Sequence, residues 1–380
     1  MTLSSSGPAD NPPPIPNTMR AWAYTKAGSP LETLQLSTDH PVPSVSALSS
    51  TELLIKVSHS SLNPSMRLVM SACPTILLQK EPPRVAEFEF SGVVAALPAN
   101  ADAALRAEFP PGAAVLGLCD PVLDVVRKGR GSLAEYVVAT AENLIRKPDN
   151  VSFEEAAGIA VTACTALNLV TRAGVRSGDK VLINGGSSGT GLMTVRLVKD
   201  ILGETGQVVV ICSGSSDELV KAMGADETID YTKHDPLHLY LANRYSTSPF
   251  DLILDTIGIL PLYDQSASYL TRPTRDRAHT YLNIGMLYPP KTFTGVCHMA
   301  FSLTRVMFFP SFLGGGPGGY SLVRTGSSKT RIEKVRRLVE EGKLGVVIDS
   351  VWEMGDVLKA YERSMTKHTK GKVVVKIQQV

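Results

Sequence analysis

Apolar and polar positions change their rhythm near residue 150. From Met19 to about Pro148 the apolar residues fall in short runs separated by Gly, Pro, Asn and Asp. The runs at 20–24, 52–58, 89–96, 114–118 and 134–138 read as strands, and no stretch there keeps a helical period. From Ser152 onward helices and strands alternate. Residues 153–173 predict a helix, and 180–184 is the kind of continuous apolar run that a buried parallel strand shows. A Gly/Ser turn follows at 185–191, after which Leu192, Val195, Val198 and Leu202 mark one face of a helix. Strands at 207–213, 228–231, 250–255 and 280–284 continue the series, with a helix at 217–223 ended by Gly224. This order predicts a doubly wound parallel sheet. A helix at 331–341, a strand at 346–351, a helix at 354–365 and a strand at 371–377 close the chain. Because the β-rich texture returns, the last segment is assigned to the first domain, with the α/β unit inserted between.

Composition narrows this without naming an activity. The chain has 380 residues, 43% hydrophobic and 19% charged, so at about 150 residues per domain it holds two cores and is not a disordered polymer. Its 38 Lys and Arg against 36 Asp and Glu give a formal net charge of +2, which offers no basic surplus for nucleic acid. The cysteines at 73, 119, 164, 212 and 297 are scattered and form no C-x-x-C pair. They are neither a disulfide framework nor a zinc-ligand set, and they point to a reducing, cytoplasmic location. Residues 1–18 are rich in Ser and Pro and lack a signal-like apolar stretch, so a disordered tail is expected there. No transmembrane segment is expected either. The most apolar stretch, 296–313, carries His298, Arg305 and Pro310, which suits a buried or interface helix.

The sharpest chemical signal is the turn after strand 180–184. On the dinucleotide template G-x-G-x-x-G the matching positions are Gly186, Ser188 and Gly191, with Ser187, Gly189 and Thr190 between them. A strand ends, small side chains let a pyrophosphate approach the backbone, and a helix N-terminus supplies free N–H groups. A glycine turn alone also fits a plain tight turn; the surrounding strand, helix and second strand select the dinucleotide reading. An NAD-binding unit carries an acid about twenty residues further on, to hold the ribose hydroxyls. Here the second strand ends Ile211-Cys212-Ser213-Gly214-Ser215-Ser216, with no acid before Asp217. That absence removes repulsion against a 2′-phosphate. Ser213 and Ser216 could donate to the phosphate, and Lys221 or Tyr231 could approach it, so NADPH is favoured over NADH. The serines also serve as ordinary loop formers.

These residues resemble the medium-chain dehydrogenase/reductase superfamily, in its zinc-independent quinone oxidoreductase and enoyl reductase branch. The likeness runs from Met19 to the C-terminus. It rests on Met19-Arg20-Ala21-Trp22, Ser61-Leu62-Asn63-Pro64, Phe90-Ser91-Gly92-Val93-Val94, Ala156-Ala157-Gly158 and Thr162-Ala163. It continues through the 185–191 turn, Gly224-Ala225-Asp226, Ile229-Asp230-Tyr231, the stretch 251–258 and Gly371-Lys372-Val373-Val374. The resemblance implies an α/β protein with a GroES-like β domain (19–150 and 321–380) around an inserted Rossmann domain (151–320), with the active site in the cleft. It implies that Asn63 lies at the nicotinamide end. Thr162 and the backbone of Asn283-Ile284-Gly285 would line that pocket, and Asp255-Thr256-Ile257-Gly258 would border the ribose. Lys372 would reach the cofactor from the tail. From residue chemistry alone, Asn63 also fits a turn former before Pro64, and Lys372 is equally a solvated strand-end lysine.

Departures from the family pattern shape the expected chemistry. Zinc-dependent members carry a G-H-E motif whose His falls on Phe88, in Glu87-Phe88-Glu89, and Asn63-Pro64 stands where a first Cys ligand belongs. Without those ligands no zinc site is expected. Asn-Pro-x-Asp becomes Asn63-Pro64-Ser65-Met66, and 67–75 lacks the tyrosine that mitochondrial enoyl thioester reductases use as proton donor. Tyr288 is the remaining donor by position, with interface packing as its other reading. The expected activity is NADPH-dependent hydride transfer to an activated C=C bond or a quinone, the partner being a small enone, quinone or acyl substrate. The alternatives are a trans-acting enoyl reductase of a polyketide or fatty-acid pathway and a non-catalytic Rossmann-fold interaction protein. The 296–313 and 314–319 segments could take an acyl chain or form a homodimer contact.

Overall fold

The computed structural model describes residues 14–72, 83–285, 297, 301, 302, 304–306, 308, 309, 313, 315–323, 326 and 328–380. Among the described residues eight strands form in the first part: β1 (Thr18–Tyr24), β2 (Gln35–Pro41), β3 (Glu52–Ser61), β4 (Arg84–Val85), β5 (Glu89–Ala96), β6 (Ala114–Leu118), β7 (Tyr136–Thr140) and β8 (Leu144–Arg146). β5 and β6 coincide with the expected runs, whereas the strand expected at 134–138 lies two residues later. Two helices, Pro64–Ala72 and Ala103–Glu108, were not announced by any helical period. The first starts at Pro64, which suits an opening helical turn. It buries Met66 and Met70 completely, and a single i,i+4 pair is too little periodicity to read.

The next six strands among the described residues are β9 (Lys180–Asn184), β10 (Gln207–Cys212), β11 (Glu227–Asp230), β12 (Leu252–Asp255), β13 (Tyr281–Asn283) and β14 (Tyr320–Leu322). They form one parallel sheet in the order β11-β10-β9-β12-β13-β14. Side chains alternate across it. Val181 and Ile183 pack with the helices Ala160–Ala173, Gly189–Leu202 and Lys329–Glu340, while Leu182 joins Leu241, Tyr245 and Phe250 on the other face. Helices cover both faces, which is why these strands read as unbroken apolar runs. The strand order reverses at β9, so the crevice beyond its carboxyl end is a place where such sheets bind ligands.

The single helix expected at 153–173 is two. Phe153–Ala156 starts from a capping box between Ser152 and Glu155, and Ala160–Ala173 follows. Gly158 lies between them, where an added Cβ would sit 3.1 Å from Lys372 Cγ. The chain then adds β15 (Ile348–Glu353) and β16 (Lys372–Lys376), which pair with each other in parallel and extend the first part's antiparallel strands through β16 and β3, in the order β15-β16-β3-β5-β6-β8. This return was expected from residue 321 and begins instead at β15. β14 completes the parallel sheet, and Ile332, Val335 and Val339 of Lys329–Glu340 are buried in its core.

Residues 1–13 lie outside the described residues, and β1 starts at Thr18, one position before the expected onset. Among the described residues no helix is long and apolar enough to cross a membrane. Much of 296–313 lies outside them; within it, Arg305 pairs with Asp264 at 2.8 Å.

Candidate active site

The carboxyl end of β9 runs into the glycine turn, and packing explains two of its glycines. A Cβ at Gly186 would meet Val210 Cγ1 at 2.0 Å, and one at Gly191 would meet the Gly185 carbonyl oxygen at 2.2 Å. Ser188, which stands in for the template's middle glycine, is the N-cap of Gly189–Leu202. Its Oγ accepts from the Gly191 N–H at 3.0 Å and donates to the Gly185 carbonyl at 2.9 Å. The departure thus supplies a helix cap. Among the described residues the N–H groups of Gly189 and Thr190 carry no hydrogen bond. They lie at the positive end of a 14-residue helix, so the cradle suits a pyrophosphate. The returning tail closes on it, with the Gly371 N–H donating to the Ser187 carbonyl at 3.1 Å.

The neighbouring loop is bent around Asp255. This fully buried carboxylate accepts from Asn184 Nδ2 at 2.8 Å, from the N–H groups of Ile257, Gly258 and Ile259 at 2.9, 2.9 and 3.0 Å, and from the Tyr281 hydroxyl at 2.7 Å. Burial and the Asp255 charge hold Tyr281 well above the usual phenol range, so it remains a donor. The bend lays Ile257 over the glycine turn, 2.5 Å from where a Gly185 Cβ would be, and seats Gly285 against the Ile257 backbone. Asn283 Oδ1 accepts from the Gly285 N–H at 2.6 Å, and its Nδ2 donates to the Tyr320 hydroxyl at 3.0 Å. The Asn283 side chain therefore shapes this loop from inside. Tyr288 lies outside the described residues.

Asn63, Thr162 and Lys372 come together beside the turn. A Cβ at Gly189 would stand 2.9 Å from Lys372 Cδ and 3.3 Å from Thr162 Cγ2. Lys372 is buried, which corrects the solvated-lysine alternative. Its Nζ donates to the Leu62 carbonyl at 3.2 Å, to Asn63 Oδ1 at 2.9 Å and to Glu89 Oε2 at 2.9 Å. Glu89 also accepts from Ser61 Oγ and from the Val161 N–H, both at 2.7 Å. The Thr162 hydroxyl donates to the Gly158 carbonyl at 2.5 Å. Asn63 Nδ2 donates to the Ser61 carbonyl at 3.1 Å and to Glu87 Oε2 at 3.2 Å, while its N–H reaches the same oxygen at 3.1 Å. Glu87 Oε1 accepts from the Tyr361 hydroxyl at 2.7 Å. Burial pushes the Glu87 carboxyl up to about 7, against the opposing pull of Tyr361, Asn63 and Lys372.

Sequence reasoning did not select Glu87, Glu89 or Tyr361. The two glutamates flank Phe88 at the zinc-type motif, a local pattern that speaks only to metal ligands. Tyr361 is 274 positions from Glu87 and had no local signal.

The far end of the crevice holds the serines. Ser213 Oγ lies 3.1 Å from Ser215 Oγ and 3.2 Å from Ser216 Oγ, and the Lys370 ammonium donates to the Ser215 carbonyl. Lys221 is paired with Asp217 at 2.9 Å, and Asp217 also accepts from Thr228. Tyr231 is exposed just after β11. Sequence order places no acid before Asp217, but β11 delivers Asp230 alongside Cys212. Hydrogen bonds from Thr232, helped by Lys233, hold that carboxyl below its ordinary range.

Family models for the alcohol dehydrogenase GroES-like domain and for the zinc-binding dehydrogenase match residues 49–149 and 223–375. The trans-enoyl reductase poxH of Penicillium oxalicum is 34% identical over 388 residues, covering 95% of this chain and 98% of that protein. The medium chain reductase pydE of Acremonium sp is 32% identical, covering 95% and 99%. The quinone oxidoreductase structure from Coxiella burnetii superposes with a TM-score of 0.73 at 24% identity, over 95% and 99% of the two chains, a likeness of fold. Among the described residues no group of three His, Cys, Asp or Glu is placed to hold a metal ion.

Proposed function

The chain belongs to the medium-chain dehydrogenase/reductase superfamily, and from that membership we propose that it is an NADPH-dependent enoyl reductase acting in trans. At the coarser level it is an NAD(P)H-dependent reductase of activated C=C or quinone substrates. The observation that carries the enoyl reading is the whole-length, 34% identity to a protein named as a trans-enoyl reductase. Phe88 and Asn63 stand where zinc-dependent members carry ligands, which supports chemistry without zinc.

Bound NADPH supplies the hydride. The chain's part is holding and shaping. The Gly189 and Thr190 N–H groups would take the pyrophosphate, Ile257 and the Gly285 backbone would wall the ribose and nicotinamide, and Asn63 and Thr162 would bound the reacting end. Ser213, Ser216, Lys221, Tyr231 and the tail's Lys370 would surround the 2′-phosphate, beside the Asp230 carboxylate that β11 brings to the same loop. Reduction of a conjugated C=C bond leaves negative charge on the carbonyl oxygen, which needs a donor and then a proton. The three N–H bonds of the Lys372 ammonium and both Nδ2 hydrogens of Asn63 already have partners. These groups therefore serve as fixed walls, and the proton comes from Tyr288 or from water.

Nucleotide fluorescence should show tighter binding of NADPH than of NADH, and Lys370→Glu should narrow that preference on the order of tenfold. NADPH consumption should then follow an enoyl thioester more readily than a small quinone. Turnover confined to quinones would remove the enoyl reading, and no binding of NADPH or NADH at near-millimolar concentration would remove the reductase reading altogether.

A further inference from the structure

We propose that Glu87 is a positioning residue for reduction: its buried carboxylate sets the orientation of the Asn63 amide, and with it the contact between Asn63 and Lys372. The inference rests on the reductase reading, in which Asn63 bounds the nicotinamide end of the cleft.

The backbone supplies the first argument. Glu87 has φ +61°, and among the described residues Lys367 is the other non-glycine residue with a positive φ. That region is costly for a residue bearing a Cβ and free to glycine. In the zinc-type motif G-H-E, whose His falls on Phe88, this is the glycine position. The chain therefore carries a strained glutamate where glycine would fit, and its surroundings must fix it there.

The side chain supplies the second. Glu87 is completely buried, and each carboxylate oxygen has donors. Tyr361 occupies Oε1, and the N–H and Nδ2 of Asn63 share Oε2. An ionised carboxylate only accepts, so it draws Nδ2 of Asn63 toward itself and turns Oδ1 to the Lys372 ammonium at 2.9 Å. A flipped amide would set oxygen against carboxylate and NH2 against ammonium. The charge at Glu87 therefore selects one of two amide orientations.

The charged and titratable groups around the carboxylate are Tyr361 on the helix Val357–Met365 and Lys372 on β16, with Arg67 and Tyr24 facing Tyr361. Glu89 is held separately by Lys372, Ser61 and the Val161 N–H. A proton on Glu87 removes an acceptor site from Tyr361 or from Asn63. Because burial holds this carboxyl at about 7, the oriented state is complete above that pH and is lost as the pH falls through it.

Two readouts test this. In the apoprotein, the 15N side-chain amide signal of Asn63 should titrate with a midpoint close to pH 7 and stay fixed in Glu87→Gln. In the loaded enzyme, kcat should show an acid limb with the same midpoint. Glu87→Gln should abolish that limb, because its carbonyl can accept from Asn63 while its NH2 donates to the Tyr361 oxygen at every pH. Tyr361→Phe, which keeps Glu87 but removes a donor from it, should move the limb to higher pH. NADPH affinity at pH 8 should stay within about threefold in both variants, a change of less than one hydrogen bond. An acid limb that persists in Glu87→Gln, a limb unmoved by Tyr361→Phe, or an Asn63 amide that ignores pH would each overturn the proposal. Loss of the reductase reading would look different: wild-type protein would bind neither NADPH nor NADH while the Asn63 amide still titrated.

Discussion

Lys372→Met should lower the unfolding free energy by about 3–5 kcal/mol, the range for removing one partner of a buried ion pair. The side chains of Lys372 and Glu89 are 5% and 0% exposed. Methionine keeps much of the apolar stem that passes Gly158 and Gly189, so what is lost is the charge and its three donated hydrogen bonds. Glu89 would keep its bonds from Ser61 and the Val161 N–H, but its charge would be left in a dry site without a counterion. The Leu62 carbonyl and Asn63 Oδ1 would also lose their donor. Adding Glu89→Gln removes the stranded charge and should recover more than half of the loss, a coupling that a double-mutant cycle reads directly. Denaturant unfolding at neutral pH is the measurement. A single-mutant loss under about 1 kcal/mol, the worth of an exposed pair, would mean that this buried pair does not hold the cleft together.

The same lysine shows where sequence reading stops. β9 and β10 were legible because burial on both faces makes each strand a continuous apolar run that neighbours cannot disguise. The glycine turn was legible because its requirements are local: small residues at fixed spacing between a strand and a helix. Lys372 could be singled out only by resemblance, because its environment comes from β3, β5 and the break at Gly158, far away in sequence. Tyr361 meeting Glu87 and Lys370 meeting Ser215 are of the same kind, created when β16 pairs with β3 and docks the tail on the Rossmann turn. Asp230 was in plain view, yet counting along the chain from β10 could not reveal a carboxylate delivered sideways by β11. The helix Pro64–Ala72 was missed for a different reason: two buried methionines mark only one turn of an otherwise mixed segment.

Gly191→Ala should reduce NADPH affinity by about 100-fold or more, which is roughly 3 kcal/mol at the upper end of overpacking costs. Its Cβ would lie 2.2 Å from the Gly185 carbonyl oxygen and within 2.9 Å of two further Gly186 backbone atoms. Every one of these atoms belongs to the glycine turn itself, so relief requires moving the turn off the helix N-terminus, where the proposed cradle for the pyrophosphate lies. Gly186→Ala offers an internal comparison. Its Cβ would strike Val210 Cγ1 at 2.0 Å, but the next nearest atoms, Val210 Cβ and Val195 Cγ2, are at ordinary distances of 3.5 and 3.6 Å. Gly186→Ala alone should therefore weaken NADPH binding, while adding Val210→Ala should restore affinity to within about threefold, because the offending methyl is gone. Val210→Ala added to Gly191→Ala should restore nothing, since no side chain is in the way. Nucleotide fluorescence on the five proteins, with circular dichroism to confirm folding, separates the cases. Wild-type affinity in a folded Gly191→Ala protein would mean that the dinucleotide binds elsewhere than at the end of β9.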